Sequence, residues 1–599
     1  MQNSNYKSAQ VLATVSCLLL VSASGAFAQE NPAFKPKTAP AKSDAKTTIV
    51  EEHSEKSAAD EQGRIPRLNG VMLLQEKRAL AKSADLREGA TTHGLDFLSD
   101  QDVETVVAPY LGKPATLADL RELQKEIVKF VQTKRHRLLV DIWFPEQKVE
   151  KGIVQMYLIE GTVRKVTVLN EGKKYFSDKT IRGKFHFAEG ENIDPAQLNR
   201  DLDSAAQNSY FRDVSVALKV PDAELLNTSD VELRIQDRFP LRVFAGYEDS
   251  GNTFVGEDRL LAGLNYGNVF GLDHQFNYQY MTDTDFEFLS SHSASYVAPL
   301  PWGHTVTLRG AYADITADSD RLGISPITLE GEYYEVGLRY RVPLSRINSL
   351  QHGVSFGLEY KRTDNNLAFG GVSVFNVPIE VYQAVLGYDL TLPDRFGRTL
   401  FDGNLYYSPG GLTKDNDDAS FNSSRFQTTA NYFYGRIQLT RETPIYNWNW
   451  ISRVTGQYSS DRLVSTEQLG AGGYSTVRGY DERVANGDYG VIFNSEIYTP
   501  PISFGLGRLF GAKEESGISL NGKQSDQLRF LAFFDYGYVA SLDRVASYDP
   551  SNATLSSVGA GVRWNFRSNL SVRADYGYQL SDRLGDDRSR LHLGVIAGF

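Results

Sequence analysis

From Leu241 to its last residue, Phe599, the chain is a succession of short runs in which apolar and polar residues alternate. Gly, Asp, Asn and Pro separate the runs. A period of two sends successive side chains to opposite faces of a strand. Sixteen such runs can be read, from "LRVFAGYED" through "RFQTTANYFYGRIQLTRE" to "RLHLGVIAGF". In the last, Leu591, Leu593, Val595, Ala597 and Phe599 share one face, and Arg590, His592, Gly594, Ile596 and Gly598 share the other. The first face suits hydrocarbon and the second a wet lumen. An even strand number lets an antiparallel sheet close on itself. Closure matters because an open sheet edge in lipid leaves backbone groups unpaired, at several kcal/mol each. Residues 240–599 are therefore expected to form a membrane β-barrel of sixteen antiparallel strands. A soluble sandwich also alternates, but seldom needs sixteen strands in one sheet.

Composition agrees. The chain holds 32 Tyr and 32 Phe but only 4 Met, which suits a barrel with aromatic girdles. No segment after the N-terminus approaches 18 apolar residues, so no spanning helix is expected there. A net charge of −11 argues against a nucleic-acid partner. At the N-terminus, Lys7, the apolar run Val11 to Ala23 and the small residues Ala26 to Ala28 read as a signal peptide over residues 1–28. The single cysteine, Cys17, lies inside it, so the exported chain has no thiol for a disulfide or a metal. No cofactor and no enzymatic activity are expected. In the barrel region, His292 and Ser293 are neighbours on a strand and point to opposite faces.

Residues 29–63 read as a leader and linker. "NPAFKPKTAPAKSDAK" has no periodic apolar face, and "VEEHSEKSAADEQ", Val50 to Gln62, reads either as a short polar helix or as unstructured. Residues 64–161 then carry strand, helix, helix, strand, strand. Ser99 with Asp102, and Thr116 at the head of "TLADLRELQKEIVKFVQ", start the helices. "LLVDIWF" and "GIVQMYLIEG" are the closing strands. Residues 162–239 repeat the order, with Asp194 and Pro195 at the start of the longer helix. His136 and His186 read as lone surface histidines.

Signal peptide, leader, two α+β modules and a sixteen-strand barrel together resemble the outer-membrane transporters of two-partner secretion, the haemolysin-activator and filamentous-haemagglutinin transporter family. The modules look like polypeptide-transport-associated (POTRA) domains. Two motifs sharpen the resemblance. "VRGY", Val477, Arg478, Gly479 and Tyr480, matches the family signature in the long loop between strands eleven and twelve. "FFDYG" matches the F-x-D-x-G signature on strand thirteen through Phe533, Asp535 and Gly537. The resemblance implies that the loop, about 460–488, folds into the lumen and that Arg478 pairs with Asp535. Strand parity independently turns Asp535 inward, because a carboxylate in hydrocarbon is costly. Glu496, on the lumen face of strand twelve, either competes for Arg478 or is one of many lumen charges.

The implied function is export of a large unfolded exoprotein, of adhesin or haemolysin type, captured by periplasmic POTRA modules and passed through the outer-membrane barrel of a Gram-negative bacterium. Other expected partners are outer-membrane lipid and the barrel-assembly machinery that inserts the chain. Capture by strand addition points to Gly152 to Glu160 and Val214 to Val220 as grip surfaces. The family's N-terminal plug helix has only Val50 to Gln62 as a candidate here. The alternative is an insertase for other outer-membrane barrels, which shares the modules and the loop motif. A solute porin explains neither.

Overall fold

A computed structural model describes residues 47–52, 64–75, 78–206, 208, 210–219, 228–251, 255–317, 327–347, 349–369, 372–510, 517–518, 525–545, 551–581 and 588–599. The signal peptide, the first part of the leader and residues 53–63 lie outside them.

The first unit holds the two modules. In module one the sheet order is Gly89–His93, Gly70–Gln75, Ile153–Glu160, Val140–Trp143. Helices Asp100–Val107 and Leu117–Lys134 cover one face, and both begin with reciprocal capping boxes, Ser99 with Asp102 and Thr116 with Asp119. Leu120, Leu123, Ile127 and Val131 recur at helical spacing and pack against Val71, Leu73, Val154 and Met156. The strand Gly89–His93 is additional to the expected order. Its sequence, GATTH, carries no apolar alternation, and its amides are capped by Glu104 and Asp100, which accept from Ala90 and Thr92 at 2.6 Å each.

Module two has the order Thr47–Glu52, Phe211–Lys219, Thr228–Asp237, Thr162–Asn170, with helices Asp178–Arg182 and Pro195–Ala206. Its outermost strand comes from the leader. Thr47–Glu52 runs parallel to Phe211–Lys219, with Thr47 opposite Val214 and Glu52 opposite Lys219. Part of the stretch expected as a helix or as unstructured is thus a strand. Both expected grip surfaces are also corrected. Ile153–Glu160 is an interior strand, paired on both sides, and the free side of Val214–Lys219 is already taken. The two histidines are not alone either. His186 Nδ1 lies 2.8 Å from Asp201 Oδ1, and His136 Nδ1 lies 3.3 Å from Asp194 Oδ1.

The second unit is a closed antiparallel barrel. Its long strands are β1 (Leu241–Glu248), β2 (Arg259–Val269), β3 (His274–Asp283), β4 (Leu289–Pro299), β5 (Thr305–Ala317), β6 (Ile327–Pro343), β7 (Gln351–Phe369), β8 (Val372–Asp394), β9 (Gly397–Ser408), β10 (Tyr432–Ile445), β11 (Trp448–Ser459), β12 (Tyr489–Tyr498), β13 (Asp526–Ala540), β14 (Ala553–Phe566), β15 (Leu570–Gln579) and β16 (Ser589–Gly598). β16 pairs back with β1 and closes the ring. Short strands Ile502–Ser503 and Gly517–Ile518 decorate the β12–β13 connection.

Parity holds along the wall. On β13, Phe530 and Phe534 are exposed outward, while Leu531, Phe533 and Asp535 are buried inward. On β16, Leu591, Leu593 and Val595 face outward and His592 is buried inward. On β4, His292 points away from Ser293 and sits among Tyr278, Tyr280 and Tyr312. One run was read too long. β10 begins at Tyr432, and the residues before it belong to a connection, 409–431, that contains the helix Asp418–Ser424. Asp417 caps that helix by accepting from Ser420 N at 2.8 Å, and Arg425, the first residue of the expected strand, closes its C-terminal end by donating its N–H to Phe421 O at 3.0 Å.

Candidate functional site

The β11–β12 connection, 460–488, turns back into the barrel. Leu469–Ala471 pairs with Ala485–Gly487, so the loop is a two-stranded ribbon with a tip between. Leu469, Ala471, Val477 and Tyr480 are buried against Ile492, Val539 and Leu555 of the wall. The tip needs left-handed backbone at Gly472, Gly473 and Gly479, with φ of 107°, 100° and 90°. A Cβ on Gly479 would meet the backbone of Gly577 on β15 at 3.0 Å, so the loop lies flat on that strand.

Arg478, 3% exposed in its side chain, is the centre of the site. Its Nε and Nη2 donate to the two oxygens of Asp535 at 2.7 and 2.8 Å, a bidentate fork, and its backbone N–H reaches the same carboxylate at 3.2 Å. Nη1 donates to Glu496 at 2.6 Å and lies 3.6 Å from Asp575 on β15. The guanidinium stacks 3.5 Å from the ring centroid of Phe533. Asn494, opposite Asp535 in the β12–β13 ladder, adds a hydrogen bond at 2.9 Å. Burial works against the charge on Arg478. Hydrogen bonding and attraction from Asp535, then Glu496 and Asp575, overcome it, so the guanidinium is held charged above the usual arginine range.

Glu496 is thus a second partner of Arg478 rather than a spectator. Asp575 is a third, and sequence reasoning gave it no part. It is fully buried and also takes Arg563 at 2.8 and 2.9 Å and Arg573 at 2.6 Å. Parity on β15 would have turned Asp575 inward, but nothing local ties it to a loop about a hundred positions earlier. The remaining motif residues pack around this core. The Tyr480 hydroxyl lies 3.0 Å from the Ser556 and Ser581 carbonyls. Tyr474 lies beneath Arg573, with 3.8 Å from the guanidinium to the ring.

The root of the loop is held separately. Glu467, fully buried, accepts from Lys361 on β7 at 3.0 and 3.1 Å, from Tyr434 on β10 at 2.7 Å and from Gln383 on β8 at 3.3 Å. Asp488, also fully buried, takes both guanidinium nitrogens of Arg425 at 2.5 and 3.1 Å and the amides of Leu463 and Leu542 at 3.0 and 2.9 Å. Asp488 therefore joins three connections, 409–431, 460–488 and 541–552. Removing one partner of such a buried pair costs about 3–5 kcal/mol, because the other charge is left buried and uncompensated. Among the described residues, no three His, Cys, Asp or Glu side chains are grouped as metal ligands are.

The family profile described as "Haemolysin secretion/activation protein ShlB/FhaC/HecB" matches residues 227–564, and "POTRA domain, ShlB-type" matches residues 89–161. The heme/hemopexin transporter protein HuxB of Haemophilus influenzae (strain 86-028NP) is 24% identical over 528 residues, 82% of this chain and 83% of its own. The outer membrane transporter CdiB of Dickeya dadantii is 24% identical over 464 residues, covering 74% and 77%. Among solved structures, CdiB from Escherichia coli superposes with a TM-score of 0.66 at 18% identity, over 91% and 93% of the two chains. BamA from Haemophilus ducreyi lacking POTRA domains 1–3 gives 0.50 at 14% identity, over 84% and 97%, and shares the fold. The chain belongs to the ShlB/FhaC/HecB family of haemolysin secretion/activation proteins, outer-membrane two-partner secretion transporters that pass an exoprotein through the barrel, with their POTRA modules in the periplasm.

Proposed function

We propose that the inward loop is the resting closure of the export pore and that the Arg478 cluster is its lock. A sixteen-strand barrel encloses an aqueous lumen, and an empty one would leak solutes. The observation that carries this reading is the convergence of three lumen carboxylates, Asp535, Glu496 and Asp575, on the single guanidinium at the loop tip. Val477, Arg478, Gly479 and Tyr480 form the moving half of the lock, and Phe533, Asp535 and Gly537 the fixed half. The cargo is an exoprotein of adhesin or haemolysin type, unfolded in the periplasm. It adds as a strand to a POTRA sheet edge, where main-chain hydrogen bonds grip without demanding one sequence. On Phe211–Lys219 it meets the chain's own leader strand and displaces it.

The outward apolar face is the lipid contact, and the barrel-assembly machinery inserts the chain. The test is a secretion assay on Arg478→Ala, Asp535→Ala and the double variant in cells lacking the native copy. A lock of directly paired residues gives non-additive losses, while additive losses remove the pair from the mechanism.

A further inference from the structure

We propose that His592 is the acid-sensitive seat of the inward loop and joins that loop to the seam between β1 and β16. The inference rests on the reading of the loop as the pore's closure. His592 is on β16, 1% exposed, and faces the lumen. The backbone N–H of Gly479, inside the V-R-G-Y motif, donates to its Nε2 at 3.1 Å. A backbone N–H can only donate, so Nε2 carries a lone pair and the ring proton is on Nδ1. Nδ1 faces Asp249 Oδ2 at 3.2 Å, at ion-pair distance though off line for a hydrogen bond. Asp249 follows the last residue of β1. Its other oxygen accepts from Leu593 N at 2.9 Å, and its own N–H donates to Leu593 O at 3.1 Å. One imidazole thus stands between the loop tip and the carboxylate that prolongs the seam.

The seam is the short ladder of this wall. β1 and β16 pair at five positions, while β1 and β2 pair at eight. The tip touches β16 at further points. Arg590 pairs with Asp481, and the Tyr474 hydroxyl fills the space over Gly594. Tyr474 also stands edge-on to the His592 ring, at 6.2 Å.

A second proton on His592 turns Nε2 from acceptor to donor. It then points an N–H at the N–H of Gly479, and the seat is lost. Histidine is the side chain whose charge ordinarily changes between about pH 5 and 8. The charged and titratable groups around it are Arg590 on its own strand, Asp575 opposite it on β15 with Arg573 and Arg563, Asp249 across the seam, and Arg478, Tyr474, Asp481 and Glu482 of the loop. Glu257 joins through Arg590, and Glu248 of β1 lies opposite Gly594, two residues along β16. Glu482 works in the opposite sense to His592. Burial pushes its carboxyl up to about 7, so the docked loop prefers it protonated and acid tightens that contact. An opening in acid is therefore not due to Glu482.

The test is conductance of the full chain in planar lipid bilayers at about pH 7.5 and about pH 5.5, with folding checked by heat-modifiable gel migration. The variants are His592→Leu, which cannot accept, His592→Gln, which accepts through its amide oxygen and takes no proton, and Arg478→Ala. The wild type is expected to open about fivefold more in acid, the size of one lost hydrogen bond. His592→Leu opens at both pH values and His592→Gln stays closed at both. Acid opening in His592→Gln equal to wild type, no acid opening in the wild type, or a closed His592→Leu at the higher pH overturns the proposal. If His592→Leu does not reach the membrane, the glutamine variant decides. Failure of Arg478→Ala to open the pore overturns the closing-loop reading itself, whereas an open Arg478→Ala beside an indifferent His592 leaves that reading standing.

Discussion

Val477 fills the space that a side chain on Gly537 would take: a Cβ there would lie 2.9 Å from its Cγ2 and 3.3 Å from the Ala471 Cβ. The glycine of one signature is the socket for the valine of the other. Gly537→Ala is expected to push the tip off β13 at a cost of about 1–3 kcal/mol, the usual range for overpacking. Val477→Ala should restore the fit in the double variant. Secretion of the partner exoprotein reads both, and a Gly537→Ala variant that secretes normally removes the socket.

Arg478→Lys is expected to behave nearly as badly as Arg478→Ala. Lysine keeps the charge but offers a single point, whereas the guanidinium spans Asp535 and Glu496 while stacking on Phe533. Loss of the second charge-assisted bond costs about 1.5–3 kcal/mol. Bilayer conductance should rise for both variants by similar factors.

Lys361→Met should destabilise the barrel by about 3–5 kcal/mol, because Glu467 keeps its burial and loses its cation. Exchanging the charges, Lys361→Glu with Glu467→Lys, should recover part of that loss. Thermal unfolding of the detergent-solubilised protein, followed by gel migration, measures it. A Lys361→Met protein as stable as wild type places the loop's root elsewhere.

Ile49→Pro removes a backbone donor from the leader strand, opposite Val216 in the ladder. The vacated edge should then bind an unfolded cargo fragment about tenfold more tightly, since the competent state is no longer masked. Titration of the purified full chain with labelled fragment checks this. Unchanged affinity would show that cargo uses another edge.

Glu482 sets a pH dependence of its own. Its carboxyl is raised from 4.5 to about 7 in the docked loop, principally by burial. Its contribution to docking is fully present below about 4.5 and is lost as pH rises through about 7. Glu482→Gln should therefore dock more tightly than wild type above neutrality and equally in acid. Alkylation of a cysteine placed at Thr476, in a chain whose one native thiol is Cys17, reads the difference.

How much of this was legible differs by residue. The barrel was, because strand alternation is local and repeated, and parity alone turned Asp535 and His592 inward. The Arg478–Asp535 contact needed two motifs as well, since the residues lie far apart in sequence. Glu496 was placed on the right face with its partnership to Arg478 left open, because parity gives a direction and no distance. Lys361 and Glu467 left no signal, being 106 positions apart and unremarkable one at a time. The strands Gly89–His93 and Thr47–Glu52 were hidden for another reason. Short edge strands are recruited by a neighbour's unpaired amides and carbonyls, and need little apolar pattern of their own.

The unequal strands bear on how cargo leaves. β6, β7 and β8 run to 17, 19 and 23 residues, while β1 and β16 at the seam have 8 and 10. The extra length of β8 continues past its pairing with β9, beyond Ala384 and on the far rim from Phe599. The exit is therefore a lopsided spout. An emerging polypeptide has a parapet of paired backbone along one flank and a low lip at the seam, so its two flanks clear the wall at different heights.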